Sequence, residues 1–325
     1  MPVTLVEAKK NVQDALQLGV IDEFRKSSFL LDNLPFADVV SPTGGGATLT
    51  YGYTRLTTQP TAAFRAVNAE YNPQEVAKTR YTVDLKIFGG SFDIDRIIAG
   101  MGGIVSEVTL QMQQKIKAAQ ALFNDTVING DSAVDVNAFD GLEKALTGSS
   151  TEVIPAAAIA LDTSANITAN AAAFLDVLDE FLMGLDAAPS AILGNTKLIA
   201  KIRAVARRAG MYLVSKNDFG QQIEQYGNIP LIDLGAKPGL NTPVSAIDVA
   251  TGETSLYAVR LGMDGFHGIS MAGQPPVKAW LPDYKTSGAV KRGEVEMVAA
   301  IALKATKAAG VLRKIKVDST PVTLV

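Results

Sequence analysis

The only histidine in the chain, His267, stands in Gly265-Phe-His-Gly-Ile-Ser270, three residues before a serine. Gly268-Ile-Ser-Met-Ala272 imitates part of the turn that exposes a catalytic serine, but that chemistry needs a strand–turn–helix around the serine and a histidine from elsewhere. No helical pattern follows Ser270, and Ser-x-x-Lys, which could replace an imidazole base, occurs nowhere. Asp93 and Asp95 fall on one face of any strand over 92–96, where paired carboxylates could hold a hard cation or move protons. Arg96 is adjacent and no third ligand is near, so an ordinary salt-bridged face is the better account. Gly100-Met-Gly-Gly103 before a helix resembles a pyrophosphate cradle, yet Val105 occupies the place of the third glycine. No Gly-Lys dipeptide exists, which removes the Walker type of phosphate loop. With no cysteine, disulfide frameworks, thiolate metal sites and cysteine nucleophiles are excluded together. With one histidine, so are sites needing two imidazoles from one chain.

The bulk properties narrow the field further. Thirty Lys and Arg stand against 33 Asp and Glu, a net charge of -3, which does not suit a protein whose main task is to grip phosphate backbones. The first ten residues carry charges where a signal peptide needs an apolar core, and no apolar run is long enough to cross a bilayer. Mean hydropathy is nevertheless slightly positive, at +0.17. Surface buried against other subunits gives that signal, and so does a large single-chain core. A chain of 325 residues suffices for one large domain or two ordinary ones.

Residues 1–46 read as an arm with apolar anchors, including an amphipathic helix over Thr4–Leu18. Ala47, Leu49, Tyr51 and Tyr53 then alternate with polar residues, as do Tyr81, Val83, Leu85 and Ile87. Two antiparallel strands carrying a long polar loop explain this spacing. Isolated ribbons are marginal in water, and long structureless loops are uncommon unless functional. Such a limb needs a surface to lie on, a neighbouring subunit being the natural candidate; the alternative is a long surface loop on an antiparallel sheet. Gly100-Met-Gly-Gly103 opens the longest helix, where Val105, Val108, Met112, Ile116, Ala119, Phe123 and Val127 recur at helical spacing until Asn129-Gly130. Its roughly 27 residues make a rod of about 40 Å.

Residues 151–270 read as a separate α/β unit. It has a helix through Phe174–Leu182, a strand at 191–193, a helix capped by Asn195-Thr196, and strands at 229–233 and 256–260. Long strands return over 277–317, so the first domain is discontinuous. Two basic clusters remain, Lys201, Arg203, Arg207 and Arg208 on one helix, and residues 285–316 with eight basic and two acidic residues. Inter-subunit ion pairs, an anionic neighbour and a plain solvated face are all compatible with them.

This order of parts (arm, projecting hairpin, spine helix, inserted α/β unit, returning strands) resembles the major capsid proteins of tailed double-stranded DNA bacteriophages, the Hong Kong 97-type shell fold. Gly89-Gly-Ser-Phe-Asp-Ile-Asp95 before the spine is similar to that family. So are Phe123-Asn-Asp-Thr-Val-Ile-Asn-Gly-Asp131 with Phe139-Asp-Gly-Leu142 after it, and Phe219-Gly220 leading to Tyr226-Gly-Asn-Ile-Pro-Leu-Ile232.

The resemblance implies an α+β fold with an arm at 1–46, an extended loop at 47–88, a peripheral domain at 89–150 and 271–317 and an axial domain at 151–270; the tail at 318–325 lies outside it. It implies a structural protein with no catalytic, cofactor-binding or metal-binding residues, forming hexamers and pentamers of an icosahedral virion shell around double-stranded DNA. Scaffolding, portal and decoration proteins would be its partners, and the host cytoplasm the place of assembly. Inter-subunit contacts would fall on Arg55, Arg65, Glu70, Glu75, Lys78 and Arg80 of the extended loop. A loop near three-fold contacts would use Asp283, Lys285, Lys291, Arg292 and Glu294, and the axial tip Phe219, Gln221, Gln222 and Glu224. An encapsulin-type nanocompartment shares the fold, and a two-domain α/β enzyme is the dissimilar alternative.

Overall fold

The computed structural model describes residues 29–41, 48–100, 107–210, 213–216, 222–240, 242–273 and 277–319. A short helix α1 (Phe29–Asn33) leads into strand β1 (Phe36–Val40), and β2 (Thr50–Leu56) pairs with β3 (Lys78–Asp84) as an isolated antiparallel ribbon. Strand β4 (Lys86–Asp95), helix α2 (Arg96–Gly100) and the long helix α3 (Glu107–Asn129) follow. After α4 (Leu142–Leu146) come β5 (Glu152–Val153), β6 (Ile159–Ala160), α5 (Ser164–Met183), β7 (Ala191–Gly194) and α6 (Thr196–Arg208). Strands β8 (Leu213–Lys216), β9 (Gln222–Tyr226), β10 (Ile229–Asp233) and β11 (Glu253–Val259) continue the chain. It ends with β12 (Phe266–Met271), β13 (Val277–Trp280), β14 (Val290–Leu303) and β15 (Ala309–Lys316).

Two sheets carry the molecule. In the five-stranded sheet, β1 lies parallel to β12, which pairs with β14, and β14 is flanked further along by β13 on one side and β4 on the other. The β4–β14 ladder runs from Lys86 opposite Ala299 to Asp95 opposite Val290, the alternation visible in both sequences. The eight-stranded sheet places β5 and β6 beside β15, then β11, β7, β10, β9 and β8. Helix α3, 23 residues and about 34 Å long, packs on β4 and β14. Met112, Ala119, Phe123 and Val127 are buried as the spacing requires, and Val108 and Ile116 pack beside them. At its C-terminal end Phe123 is fully buried between Phe36, Phe88 and Phe139, with ring centroids 5.9 to 6.1 Å away.

Two glycines exist to seat rings. A Cβ on Gly268 would come within 2.5 Å of the Phe36 ring across the β1–β12 pair, and one on Gly293 within 2.4 Å of Phe92 across β4–β14. Helix starts follow the capping rule: Asn195 accepts from the Leu198 N–H at 2.8 Å, and Thr163 from Asn166 at 3.2 Å. Asn195, buried, also donates to Ser245 O and Thr254 Oγ1 at 3.2 and 2.8 Å, which fixes the turn before β11. A polar network ties α4 to the larger sheet. Tyr257 donates to Glu143 at 2.5 Å, and the Arg313 guanidinium reaches Glu143, Glu152 and Thr147.

Several expectations change. The alternating run through Ile87 is two strands, not one, because Leu85 turns into the core and β4 joins another sheet. Within the arm, residues 29–40 form regular structure, with Leu30, Leu34 and Val40 in the core. The Thr4–Leu18 helix, and the opening of the spine over 101–106, lie outside the described residues. Strand pairing also cuts the chain elsewhere than at 270. Phe266–Met271 belongs to the five-stranded sheet, and Ala309–Lys316 completes the eight-stranded one. His267 and Ser270 sit inside one strand, on opposite faces, so no serine-exposing turn exists there.

Candidate inter-subunit surface

The β2–β3 ribbon is built from alternating residues, with Tyr53 stacked on Tyr81 at 5.8 Å and Thr50 bonded to Asp84 at 2.6 Å. Beyond Arg55 it has no buried residue. Its loop is held in shape by its own polar groups: Thr61 N–H and Gln74 at 2.7 Å, Ala77 N–H and Thr58 Oγ1 at 2.8 Å, Thr57 N–H and Ala77 O at 2.9 Å. On this limb Phe64 is 107% exposed, Val67 89% and Tyr71 62%. Among the described residues, Phe64 and Val67 have nothing to bury against.

The root of the limb is docked firmly. Tyr53 donates to Leu303 O at 3.0 Å, and Arg55 donates to Lys304 O at 2.8 Å and also to Leu303 O. The Arg55 guanidinium lies 4.3 Å from the Tyr81 ring centroid. Arg55, expected to contact another subunit, is thus committed to its own chain, because the ribbon brings it onto the last carbonyls of β14. Arg65 donates to Ala69 O at 3.2 Å and lies over Tyr71, while Glu70, Glu75, Lys78 and Arg80 are exposed.

At the far end of the five-stranded sheet, Arg96 N–H bonds Ala289 O at 2.9 Å, bringing α2 against the loop that precedes β14. The expected three-fold residues gather here and are partly satisfied within the chain. Arg292 grips Asp93 with bonds of 2.8 and 3.1 Å, holding that carboxyl below its usual range. The partner of Asp93 is therefore Arg292 across the strands, not Arg96. Lys291 donates to Thr286 Oγ1 and Ser287 O, and Asp283 accepts from the Lys285 N–H at 2.9 Å. Glu294 is exposed on β14. Ile97 and Ile98 on α2, Trp280 of β13, Leu281 and Tyr284 in the loop after it, and Val290 of β14 itself are exposed apolar residues near this end of the sheet.

Of the axial-tip residues, Phe219 and Gln221 lie outside the described residues; Gln222 and Glu224 fall on β9, opposite Lys216 and Val214. Three basic residues of α6 bond within the chain. Lys197 pairs with Asp318, Lys201 donates to Asp162 O, and Arg208 bonds Ser164 at 2.7 Å through its carbonyl and hydroxyl oxygens. Among the described residues no cluster of three metal-ligating side chains occurs, and no helix is long and apolar enough to cross a membrane.

No family model matches the sequence, and no curated protein matches it significantly. Solved structures do. The holo-SrpI encapsulin of Synechococcus elongatus superposes with a TM-score of 0.67 over 100% of both chains, at 16% identity. The capsid of a native GTA particle gives 0.62 over 95% of this chain and 97% of that one, at 12% identity. The capsid of Myoviridae phage XM1 gives 0.57 over 97% and 99%, at 11% identity. Matched over nearly its whole length to shell proteins of this kind, the chain has the Hong Kong 97-type shell fold.

Proposed function

We propose that the chain is the subunit of a closed protein shell, the major capsid protein of a tailed bacteriophage. Hexamers and pentamers of it close an icosahedral virion shell around double-stranded DNA in the host cytoplasm, with scaffolding and portal proteins as partners. The observation that carries this reading is the limb itself: an ordered loop with Phe64, Val67 and Tyr71 in water, docked rigidly at its root. Such a surface gains stability only when another molecule covers it, and a repeated contact of this kind closes around symmetry axes when each copy supplies both halves. The contacts at the loop and at the far end of the five-stranded sheet are then individually weak and collectively strong. A cargo-holding compartment is the second reading, favoured by the whole-length likeness to an encapsulin.

Light scattering and negative-stain imaging of the purified chain test this, alone and with its neighbouring gene products. Uniform closed particles are expected, and their nucleic-acid or protein content divides capsid from compartment. Deleting residues 58–76 is expected to leave a folded chain that forms no closed particles. Normal particles from that deletion would remove the loop from assembly, and a small oligomer under every condition would remove the shell.

A further inference from the structure

The imidazole of His267 is fully buried, and neither ring nitrogen makes a hydrogen bond of good geometry among the described residues, although the Gly265 backbone lies close enough to favour a proton there. Tyr51 of the limb covers it, edge to face, with ring centroids 6.1 Å apart. Buried polar groups are ordinarily partnered, and an orphan costs the fold stability. We propose that His267 is an acid-operated release for the limb: protonating its imidazole lifts the β2–β3 root from the end of β14 and changes the direction in which the loop projects.

The surroundings offer a new cation only the Gly265 backbone and a carboxylate that is already paired. Lys304, at the end of β14, holds its ammonium 5.7 Å from the Tyr51 ring centroid, and Arg55 of β2 docks on the Leu303 and Lys304 carbonyls. Asp264, before β12, is a carboxylate on this side, and it is paired with Arg260 at 3.0 Å. Tyr51 and Tyr53 on β2 and Tyr81 on β3 bring phenol rings to this side; Asp38 of β1 accepts from the Gly273 N–H. Burial first, and Lys304 second, hold the imidazole below its usual value of 6.5. A protonated His267 therefore has to reach water. The five-stranded sheet cannot open cheaply, whereas the ribbon above is held by Tyr53 and Arg55 on two carbonyls, beside the residue that pairs with His267, Ala302.

The sign follows from linkage. The docked limb holds a depressed imidazole and the lifted limb an ordinary one, so the lifted state binds more protons in acid. Docking is complete above about pH 6.5 and weakens below it, by up to tenfold per pH unit until the docked value is passed. In a chain without cysteine, histidine is the one side-chain type that ordinarily titrates between pH 5 and 7.5.

The cysteine-free chain allows direct labelling. Spin labels on Ala63→Cys in the loop and Val249→Cys on the body report their separation in the unassembled full-length chain. The distance distribution is expected to shift between pH 7.5 and 5.0, and to stay fixed when His267→Gln or His267→Phe is added. An unchanged distribution in the chain that keeps His267, or the same shift without it, overturns the proposal. Should both substitutions prevent folding, the lone histidine still gives one assignable Cε1–H resonance. A midpoint below the ordinary imidazole value, moving together with the label distance, supports the release; a midpoint at or above it overturns it. Neither readout requires a particle, so shell formation can fail while this holds.

Discussion

Replacing Phe123 by Ala strikes the point where four parts of the chain meet: β1 through Phe36, β4 through Phe88, the spine helix itself, and the turn before α4 through Phe139. Phe123 is fully buried, so the substitution removes a whole ring from water-free packing. Large-to-small changes at such sites cost about 3–5 kcal/mol, the transfer of the lost atoms plus the cavity they leave. Collapse into the cavity is restricted, since Phe36 is wedged over Gly268 and Phe88 sits in the β4–β14 ladder. The expected loss is therefore about 4 kcal/mol. Phe123→Leu keeps most of the volume and loses the ring contacts, which are worth about 0.5–1.5 kcal/mol beyond area, for an expected loss of about 1.5 kcal/mol. Urea unfolding of the unassembled chain, followed by far-ultraviolet circular dichroism, reads both against the unaltered protein. A loss below about 2 kcal/mol for Ala, or a Leu variant as damaged as the Ala variant, would refute the idea that ring packing at this junction holds the spine to its sheet.

Asn195→Ala removes a cap and also the amide that Ser245 and Thr254 share; about 2–3 kcal/mol is expected in the same unfolding assay, with Asn195→Asp intermediate because it keeps the cap acceptor. Burial works to raise the Glu152 carboxyl, but the Gly148 N–H and the Arg313 guanidinium outweigh it and hold the group below its usual value of 4.5. Its contribution is present above that value and is lost as pH falls through the lower folded one, so Glu152→Gln should flatten the decline of the urea midpoint between pH 5 and 3. An equally steep decline would mean the pairing with Arg313 contributes nothing.

What the sequence disclosed follows from what is local. The ribbon was legible because residues 47–53 and 81–87 alternate; the helix after Asn195 because cap and apolar stripe lie within a few residues of each other. The break at Leu85 was not, because β3 and β4 share a period of two and only burial between neighbouring strands marks the join. Membership of β12 and β15 was hidden for a related reason: each strand's alternation shows a face, and its partners lie far away in the chain. Arg55 looked like a free surface charge since its acceptors, Leu303 and Lys304, are some 250 positions distant.

The chain passes between the two sheets three times, after the spine, between β11 and β12, and between β14 and β15. Neither sheet is therefore a continuous piece of sequence, and tension applied across their junction is shared by three covalent strands of rope. A single proteolytic nick near residue 263, in the exposed turn between β11 and β12, leaves fragments that still pair along β11–β15, β1–β12 and β4–β14. The molecule would keep its shape after such a cut, and two separately expressed halves ending there would find each other.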